Sequence, residues 1–358
     1  MGFFNHNTLA FIIALIVTVI TTPIVKKIAL KFNIVDIPNE PRKIHKKKMP
    51  YLGGVAIALG FFVGFIFQRP DLPSTWTFLG GAFIVLFTGI IDDKFNLPAK
   101  YKLLGQILAA LLVVLSGVTV DFIQFPVIGR IEFGWWQYPI TILWIVGITN
   151  AINFIDGLDG LAGGVSSIAL GSMLVMGIMN QQSLAIALSV ILLGSTIGFL
   201  FFNSYPAKIF MGDSGSMFIG YTMAYISIIG LFKSFTIFSL IIPIIILAVP
   251  IFDTSFAIVR RIIRGQKIST PDRSHLHHCL LKLGFSHRTT VLIIYVISLI
   301  FGLSAIIFSR SILWGSLIIL ALSFIMIRFT VEILDTWNNR KKPLINAVKK
   351  LQGTKSKP

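Results

Sequence analysis

Residues 184–202, LAIALSVILLGSTIGFLFF, form an apolar run that contains no charged side chain. An α-helix rises about 1.5 Å per residue, so this run reaches about 28 Å, close to the hydrocarbon thickness of a bilayer. Ten similar runs complete a set of eleven: 8–30, 51–68, 76–91, 101–118, 135–152, 161–180, 184–202, 216–232, 235–252, 289–308 and 311–331. The sequence therefore predicts an all-α integral membrane protein with about eleven transmembrane helices.

The composition of the 358 residues agrees with this class, since 55% are hydrophobic and only 13% are charged. The first run lacks the preceding basic region and the small-residue cleavage site of a signal peptide, so we expect it to remain as a helix. Residues 1–334 are interpreted as one polytopic domain and 335–358 as a basic cytoplasmic tail. The single cysteine, Cys279, excludes an intrachain disulfide.

The basic residues predict the orientation of the helices. If the loop after the first run is cytoplasmic, all but four of the 31 Lys and Arg lie inside. The positive-inside rule then predicts an outer N-terminus and a cytoplasmic C-terminus. The net charge of +17 is interpreted as orientation and contact with anionic lipid, and no nucleic acid partner is expected.

Two segments predict departures from simple helices. Residues 119–134 alternate in part between apolar and polar side chains around Pro126 and Gly129, which favours a small outer β-hairpin. Pro250 is expected to break the ninth helix, because proline lacks a backbone N–H and clashes with the preceding turn. Residues 252–264 would then continue as an amphipathic piece near the inner surface.

The predicted topology brings three acidic clusters to the inner side. Asp92 and Asp93 end the third run, Asp156 and Asp159 follow the fifth, and Asp213 precedes the eighth. Adjacent carboxylates repel unless a cation lies nearby, and a helix C-terminus disfavours them further. A solvated helix end, a polar turn or a helix cap explains each cluster taken alone, but their coincidence favours a functional site.

Polar, aromatic and basic residues accompany these carboxylates. Asn153, Asp156 and Asp159 recur every three residues and so share one broad helical face. Phe210 is interpreted as a stacking platform for a base, with lipid contact as the alternative. Hard oxygen ligands and nearby cations together favour metal-dependent phosphoryl chemistry with Mg²⁺, or Mn²⁺ in its place.

Three histidines, His275, His277 and His278, follow a basic stretch of the last long inner loop. Zinc binding lacks a cysteine or carboxylate partner at suitable spacing, so contact with phosphate is favoured, with a solvated loop as the alternative. A nucleotide-sugar transporter is a second hypothesis for the whole chain. It predicts acidic residues near mid-membrane in both halves, whereas here they gather at one surface.

Five motifs in this order carry a resemblance that covers nearly the whole chain. They are DDK at 92–94, NFIDGLDGLA at 153–162, PAKIFMGDSGS at 206–216, PIFDT at 250–254 and HLHH at 275–278. With them the chain resembles the polyprenyl-phosphate N-acetylhexosamine-1-phosphate transferase family. That family moves a sugar-1-phosphate from a UDP-sugar to undecaprenyl phosphate and releases UMP.

The resemblance implies roles for particular residues. It makes Asp213 the metal ligand and Asp92, Asp93 and Asp156 the catalytic acidic group. Among the substrate contacts, Asp159, Asn203 and Phe210 would hold the uridine. The full set of expected substrate-binding residues is Asn153, Asp159, Asn203, Phe210, Lys47, Lys100, Arg273, His275, His277 and His278.

The His-x-His-His pattern resembles the branch of the family that uses UDP-N-acetylglucosamine. Three consecutive histidines are typical of the branch that uses UDP-MurNAc-pentapeptide, and Leu276 interrupts such a run here. The expected product would begin a cell-wall polymer such as teichoic acid. Direct attack by the lipid phosphate and a covalent aspartyl-phosphate route both stay open, and a homodimer is a further hypothesis.

Overall fold

The computed structural model describes residues 2–36, 48–70, 74–125, 129–232, 241–263, 265–266, 275–310 and 321. Two structural units divide the chain, Met1–Ile306 and Ile307–Pro358. The helices and the site that follow belong to the first unit, apart from the last residues of its final helix. The predicted boundary between residues 334 and 335 lies outside the described residues.

The described chain is built almost wholly of helices. Helices α1–α12 span, in order, Gly2–Lys31, Gly53–Gln68, Thr75–Phe95, Ala99–Leu115, Gln137–Ile155, Leu161–Met179, Ser183–Asn203, Gly212–Ile226, Ile241–Ile246, Ala248–Ile263, Leu276–Lys282 and His287–Arg310. Six helical segments among the described residues are long and apolar enough to cross a membrane. The chain is thus an all-α membrane protein. Nine of the eleven predicted runs coincide with helices. The ninth, 235–252, is described only from residue 241 and is there divided between α9 and α10, and the eleventh, 311–331, lies outside the described residues apart from position 321.

The apolar side chains divide between the interior and the outer surface of the helices. Phe61, Phe78 and Tyr221 are fully buried between helices, whereas Phe87 and Leu143 are 65% and 72% exposed. Lipid surrounds a membrane helix, so large exposed apolar side chains are stable there. Helical backbone is the form that satisfies its own polar groups in hydrocarbon.

The predicted break near Pro250 is present, but it lies three residues earlier. Helix α9 ends at Ile246 and α10 begins at Ala248, with a turn at Leu247 between them. Pro250 has no N–H to bond the Ile246 carbonyl, so one bond of the helical ladder is missing, and the ladder resumes where the Ile251 N–H donates to the Leu247 carbonyl at 3.0 Å. In α10 Pro250 occupies the first turn, where backbone N–H groups have no helical partner.

Two pairs of short strands complete the fold. The hairpin predicted within 119–134 is confirmed: β3, Phe122–Phe125, pairs antiparallel with β4, Gly129–Glu132. The Arg130 guanidinium lies 3.9 Å from the Phe122 ring centroid across this pair. A second pair, β1 and β2 (Val35–Asp36 with Met49–Pro50), was not predicted from the sequence.

Glycines allow the closest helix contacts. A β-carbon on Gly194 of α7 would lie 2.5 Å from the Phe11 carbonyl oxygen of α1, and one on Gly198 would lie 2.7 Å from the Leu15 carbonyl oxygen. Small residues four apart are a common means of bringing membrane helices together. Gly54 of α2 packs against the backbone of Gly215, near the beginning of α8, in the same way.

We expect Gly194→Ala to lower the melting temperature in detergent, because the new methyl group would press on backbone that cannot move aside. Overpacking of this kind costs about 1–3 kcal/mol. Gly147→Ala in α5 is the matched control, since a β-carbon there meets nothing within 4 Å. Equal melting temperatures for the two variants would contradict the close α1–α7 contact.

Candidate functional site

The centre of the site is an ion cluster formed by three helices. The Lys102 ammonium of α4 lies 2.6 Å from Asp92 Oδ2 of α3 and 2.7 Å from Asp213 Oδ2 of α8. The Leu97 N–H donates to the other Asp92 oxygen at 2.7 Å. Asp92 stands at a helix C-terminus and Lys102 near a helix N-terminus, which are positions that the helix macrodipole disfavours. Each therefore stabilises the other.

Asp93 holds the beginning of α8. Its carboxylate accepts hydrogen bonds from the Asp213 N–H at 2.7 Å, the Ser214 N–H at 3.2 Å and the Ser214 hydroxyl at 2.7 Å. A carboxylate at this place satisfies orphan N–H groups and complements the helix dipole. Gly212 has φ 73°, and a β-carbon there would lie 2.5 Å from Asp93 Oδ2, so glycine is required. Asp93 thereby positions Asp213.

Asp156 lies just after the end of α5, close to the same carboxylates. Burial is the main cause that raises its pKa to about 8, and the charges of Asp213, Asp93 and Asp159 contribute to that value in this order. At neutral pH this carboxyl therefore holds a proton unless a cation approaches. Asn153, one turn earlier in α5, donates to the Ser216 hydroxyl at 2.8 Å and also bonds the Asp213 carboxylate.

The loop at 156–160 is tied to the loop after α7. Asn203 Oδ1 accepts from the Gly160 N–H at 3.0 Å, and its Nδ2 donates to the Ile209 carbonyl at 3.0 Å. Asp159 Oδ2 accepts from the Ala207 N–H at 2.9 Å. The buried Asn203 amide thus joins the two loops. The contacts of Asn203 and Asp159 with uridine, which the sequence predicts, stay predictions.

Phe210 is held by the chain around β2. Its N–H donates to the Pro50 carbonyl at 2.9 Å, and its carbonyl accepts from the Gly53 N–H at 3.0 Å. The Tyr51 ring lies beside it, with centroids 5.9 Å apart. Tyr51 also hydrogen-bonds Asp36 and lies near enough to Asp93 and Asp156 to interact with their charges. The partly buried Phe210 ring therefore borders the acidic centre.

His277 and His278 lie in the short helix α11 beside the 156–160 loop, and His275 immediately precedes that helix. His275 Nδ1 lies 2.8 Å from Asp253 Oδ2, and the Leu276 N–H donates to Asp253 Oδ1 at 2.7 Å, so Asp253 fixes the start of α11. His277 packs against Gly157, and neither of its ring nitrogens has a hydrogen-bond partner in the part of the chain that the structure describes. Burial is the main cause that lowers the pKa of His277 to about 3, so its ring is neutral.

Other predicted site residues are placed less closely. Lys100 is exposed, with its ammonium 4.9 Å from the Tyr101 ring centroid rather than against a carboxylate. Lys47 and Arg273 lie outside the described residues. Within the described ranges, no group of three or more His, Cys, Asp or Glu side chains is arranged to hold a metal.

Sequence reasoning missed Lys102, Tyr51 and the capping role of Asp93. Lys102 had a recognisable signal, since it is a charged residue inside the predicted run 101–118. A charge in a membrane helix is a functional-site candidate by default, and its partner has to be sought. Tyr51 had no such signal, because an aromatic residue at the start of a membrane helix is ordinary.

The fold and the acidic centre define a polytopic membrane protein with a carboxylate-rich site where several helices end. A sequence model of Glycosyl transferase family 4 matches residues 75–231, which contain Asp92, Asp93, Asp156 and Asp213. The chain belongs to this family of polyprenyl-phosphate sugar-1-phosphate transferases, as its curated relatives show.

Three relatives illustrate the range of the family. The chain is 48% identical to a probable undecaprenyl-phosphate N-acetylglucosaminyl 1-phosphate transferase of Bacillus subtilis, over 96% of each chain. It is 34% identical to a decaprenyl-phosphate N-acetylglucosaminephosphotransferase of Mycobacterium tuberculosis, over 79% of this chain and 78% of the relative. It is 32% identical to a phospho-N-acetylmuramoyl-pentapeptide-transferase of Halalkalibacterium halodurans, over 83% of this chain and 94% of the relative.

The raised pKa of Asp156 predicts a pH dependence of stability. A carboxyl group with a folded-state pKa of about 8 stabilises the fold fully below its unfolded pKa of about 4. That contribution is lost as the pH rises toward 8, because the unfolded state gives up its proton first. We therefore expect the melting temperature of Asp156→Asn, relative to that of the wild type, to increase as the pH is raised from 5 to 9. Both proteins are measured in the presence of a metal chelator. A constant difference across this range would contradict the assignment.

Proposed function

We propose that the chain transfers N-acetylglucosamine-1-phosphate from UDP-N-acetylglucosamine to undecaprenyl phosphate and releases UMP. The observation that carries this proposal is the gathering of Asp92, Asp93, Asp156 and Asp213 at the ends of apolar helices. The 48% identical Bacillus subtilis relative, whose name states this activity, supports it. The product would begin a cell-wall polymer, and we propose teichoic acid.

Although no group of three or more His, Cys, Asp or Glu side chains among the described residues is arranged to hold a metal, two carboxylates of the centre offer oxygen ligands to a divalent ion. Lys102 already places a cation between oxygens of Asp92 and Asp213, and carboxylate oxygens are the ligands that Mg²⁺ prefers. We propose Asp213 and Asp92 as its protein ligands, with Mn²⁺ able to use the same oxygens. When bound, the metal would neutralise charge on the diphosphate and on the departing UMP.

The proposed reaction is a direct displacement at phosphorus. An oxygen of the lipid phosphate forms a bond to the phosphorus that carries the sugar, and the bond from that phosphorus to UMP breaks, leaving its electron pair on UMP. A phosphate monoester has a second pKa of about 6 and is mostly dianionic near neutral pH. A strong general base is therefore unnecessary. Asp93 holds the start of α8 and thereby keeps Asp213 in place, and Asp156 can hold or release a proton beside the reacting phosphates.

Donor recognition would involve three surfaces around the acidic centre. We propose that the Phe210 ring stacks on uracil, a contact worth about 1–3 kcal/mol in other base-binding sites. The 156–160 loop and its partner Asn203 would shape the uridine pocket. The sugar and phosphates would meet His275, His277, His278, Asn153, Lys47, Lys100 and Arg273, of which His277 is already fixed against Gly157.

The topology proposed with this function has eleven transmembrane helices, an outer N-terminus and a cytoplasmic site and C-terminus. In a Cys279→Ser background, Ile131→Cys in the hairpin should react with a membrane-impermeant maleimide in intact cells. Asn96→Cys, after α3, should react only once the membrane is permeabilised. Both positions are exposed. The reverse pattern of labelling would overturn the orientation.

The function is tested with purified protein, undecaprenyl phosphate, Mg²⁺ and a panel of UDP-sugars. We expect lipid-linked product and UMP, with kcat/KM highest for UDP-N-acetylglucosamine, and near-complete loss of turnover in Asp213→Asn. A transporter would form no product. A higher kcat/KM for UDP-MurNAc-pentapeptide would refute the sugar, and UMP released without lipid acceptor would indicate the covalent route instead of direct attack.

A further inference from the structure

Lys102 occupies the position that a metal would need. Its ammonium contacts one oxygen of Asp92 and one of Asp213 at 2.6 and 2.7 Å, and these contacts join α3, α4 and α8. The Asp92 side chain is 7% exposed and those of Lys102 and Asp213 are each 27% exposed, so water screens the three charges only in part.

The Asp92 and Asp213 side chains also hydrogen-bond each other, which requires one of the two carboxyl groups to hold a proton, and their other partners among the described residues are neutral. The second Asp92 oxygen takes the Leu97 N–H, and Asp213 has Asn153 as a neutral donor. Neither partner carries a full positive charge. Without Lys102 the ends of α3 and α8 could avoid the repulsion of two like charges only by sharing a proton between Asp92 and Asp213. The ammonium is therefore the cation that keeps this end of the bundle closed.

We propose, on the basis of the function proposed above, that Lys102 is a built-in counter-ion which the divalent metal must displace from between Asp92 and Asp213. An ammonium and a divalent cation repel each other strongly at the distance that two shared carboxylates impose. They cannot both remain in contact with these oxygens. Lys102 thus stabilises the metal-free protein and opposes metal binding, and it acts as a positioning residue for the carboxylates.

The test measures metal binding rather than turnover. Purified full-length wild type, Lys102→Gln and Lys102→Arg are titrated with Mn²⁺, and the free ion is followed by electron paramagnetic resonance. We expect Lys102→Gln to bind Mn²⁺ about tenfold more tightly or better, a change of about 1.4 kcal/mol. Its melting temperature in a chelator should fall, and the rise on adding metal should exceed that of wild type. Lys102→Arg keeps the charge and should bind no more tightly than wild type.

Lys94→Gln is the matched control. It removes one positive charge from the same end of α3, where the Lys94 ammonium lies 5.1 Å from the Phe95 ring centroid. A general loss of positive potential would tighten metal binding equally in both Gln variants, and that result would overturn the inference. Unchanged or weaker Mn²⁺ affinity in Lys102→Gln would overturn it as well.

The experiment also separates this inference from the function. If the wild-type protein forms no lipid-linked product but Lys102→Gln still binds Mn²⁺ more tightly, the proposed function is wrong and the counter-ion role of Lys102 stands. If Lys102→Gln folds only when metal is present during purification, metal has replaced the ammonium, which supports the inference. Failure to fold with or without metal would contradict replacement of the ammonium by metal.

Discussion

Like charges brought together at a membrane surface are the constraint on which the site depends. Carboxylates that stand at the ends of apolar helices cannot rely on full solvation, so each needs a partner. Lys102 serves Asp92 and Asp213, and backbone N–H groups of α8 serve Asp93. Asp156 has no such cation among the described residues, and its raised pKa of about 8 keeps it protonated at neutral pH. The site is therefore poised to accept positive charge.

The rest of the bundle serves to bring these groups within hydrogen-bond distance. Gly54 lets α2 meet α8 backbone to backbone, and Gly89 lets α3 do the same at Ser214. A side chain at Gly54 would push α2 away from α8, and one at Gly89 would separate α3 from α8, whose ends carry the carboxylates. Gly212 adopts a positive φ that lets the chain turn against Asp93 as α8 begins. The chemistry of the carboxylates thus depends on residues that have no side chain of their own.

Several polar residues of the motifs brace loops against one another. Asn203 joins the 156–160 loop to the loop after α7, and the Tyr295 hydroxyl donates to the Gly160 carbonyl from α12. Asp253 does the same for the start of α11 and His275. Buried polar groups of this kind are costly unless they are paired, so they hold the loops in one arrangement. A motif residue can therefore serve a substrate by positioning the loop that touches it.

The sequence by itself determined the membrane class, nine runs that coincide with helices, the hairpin within 119–134 and the acidic residues of the site. These follow from hydropathy, period and turn chemistry, which act over a few neighbouring residues. Only the tertiary structure decided that Lys102 pairs with Asp92 and Asp213, that Asp93 caps α8, and that the ninth helix breaks at Leu247. Lys102 and Asp213 are 111 positions apart. Local patterns carry no information about which distant charges will meet, because helix packing sets those distances.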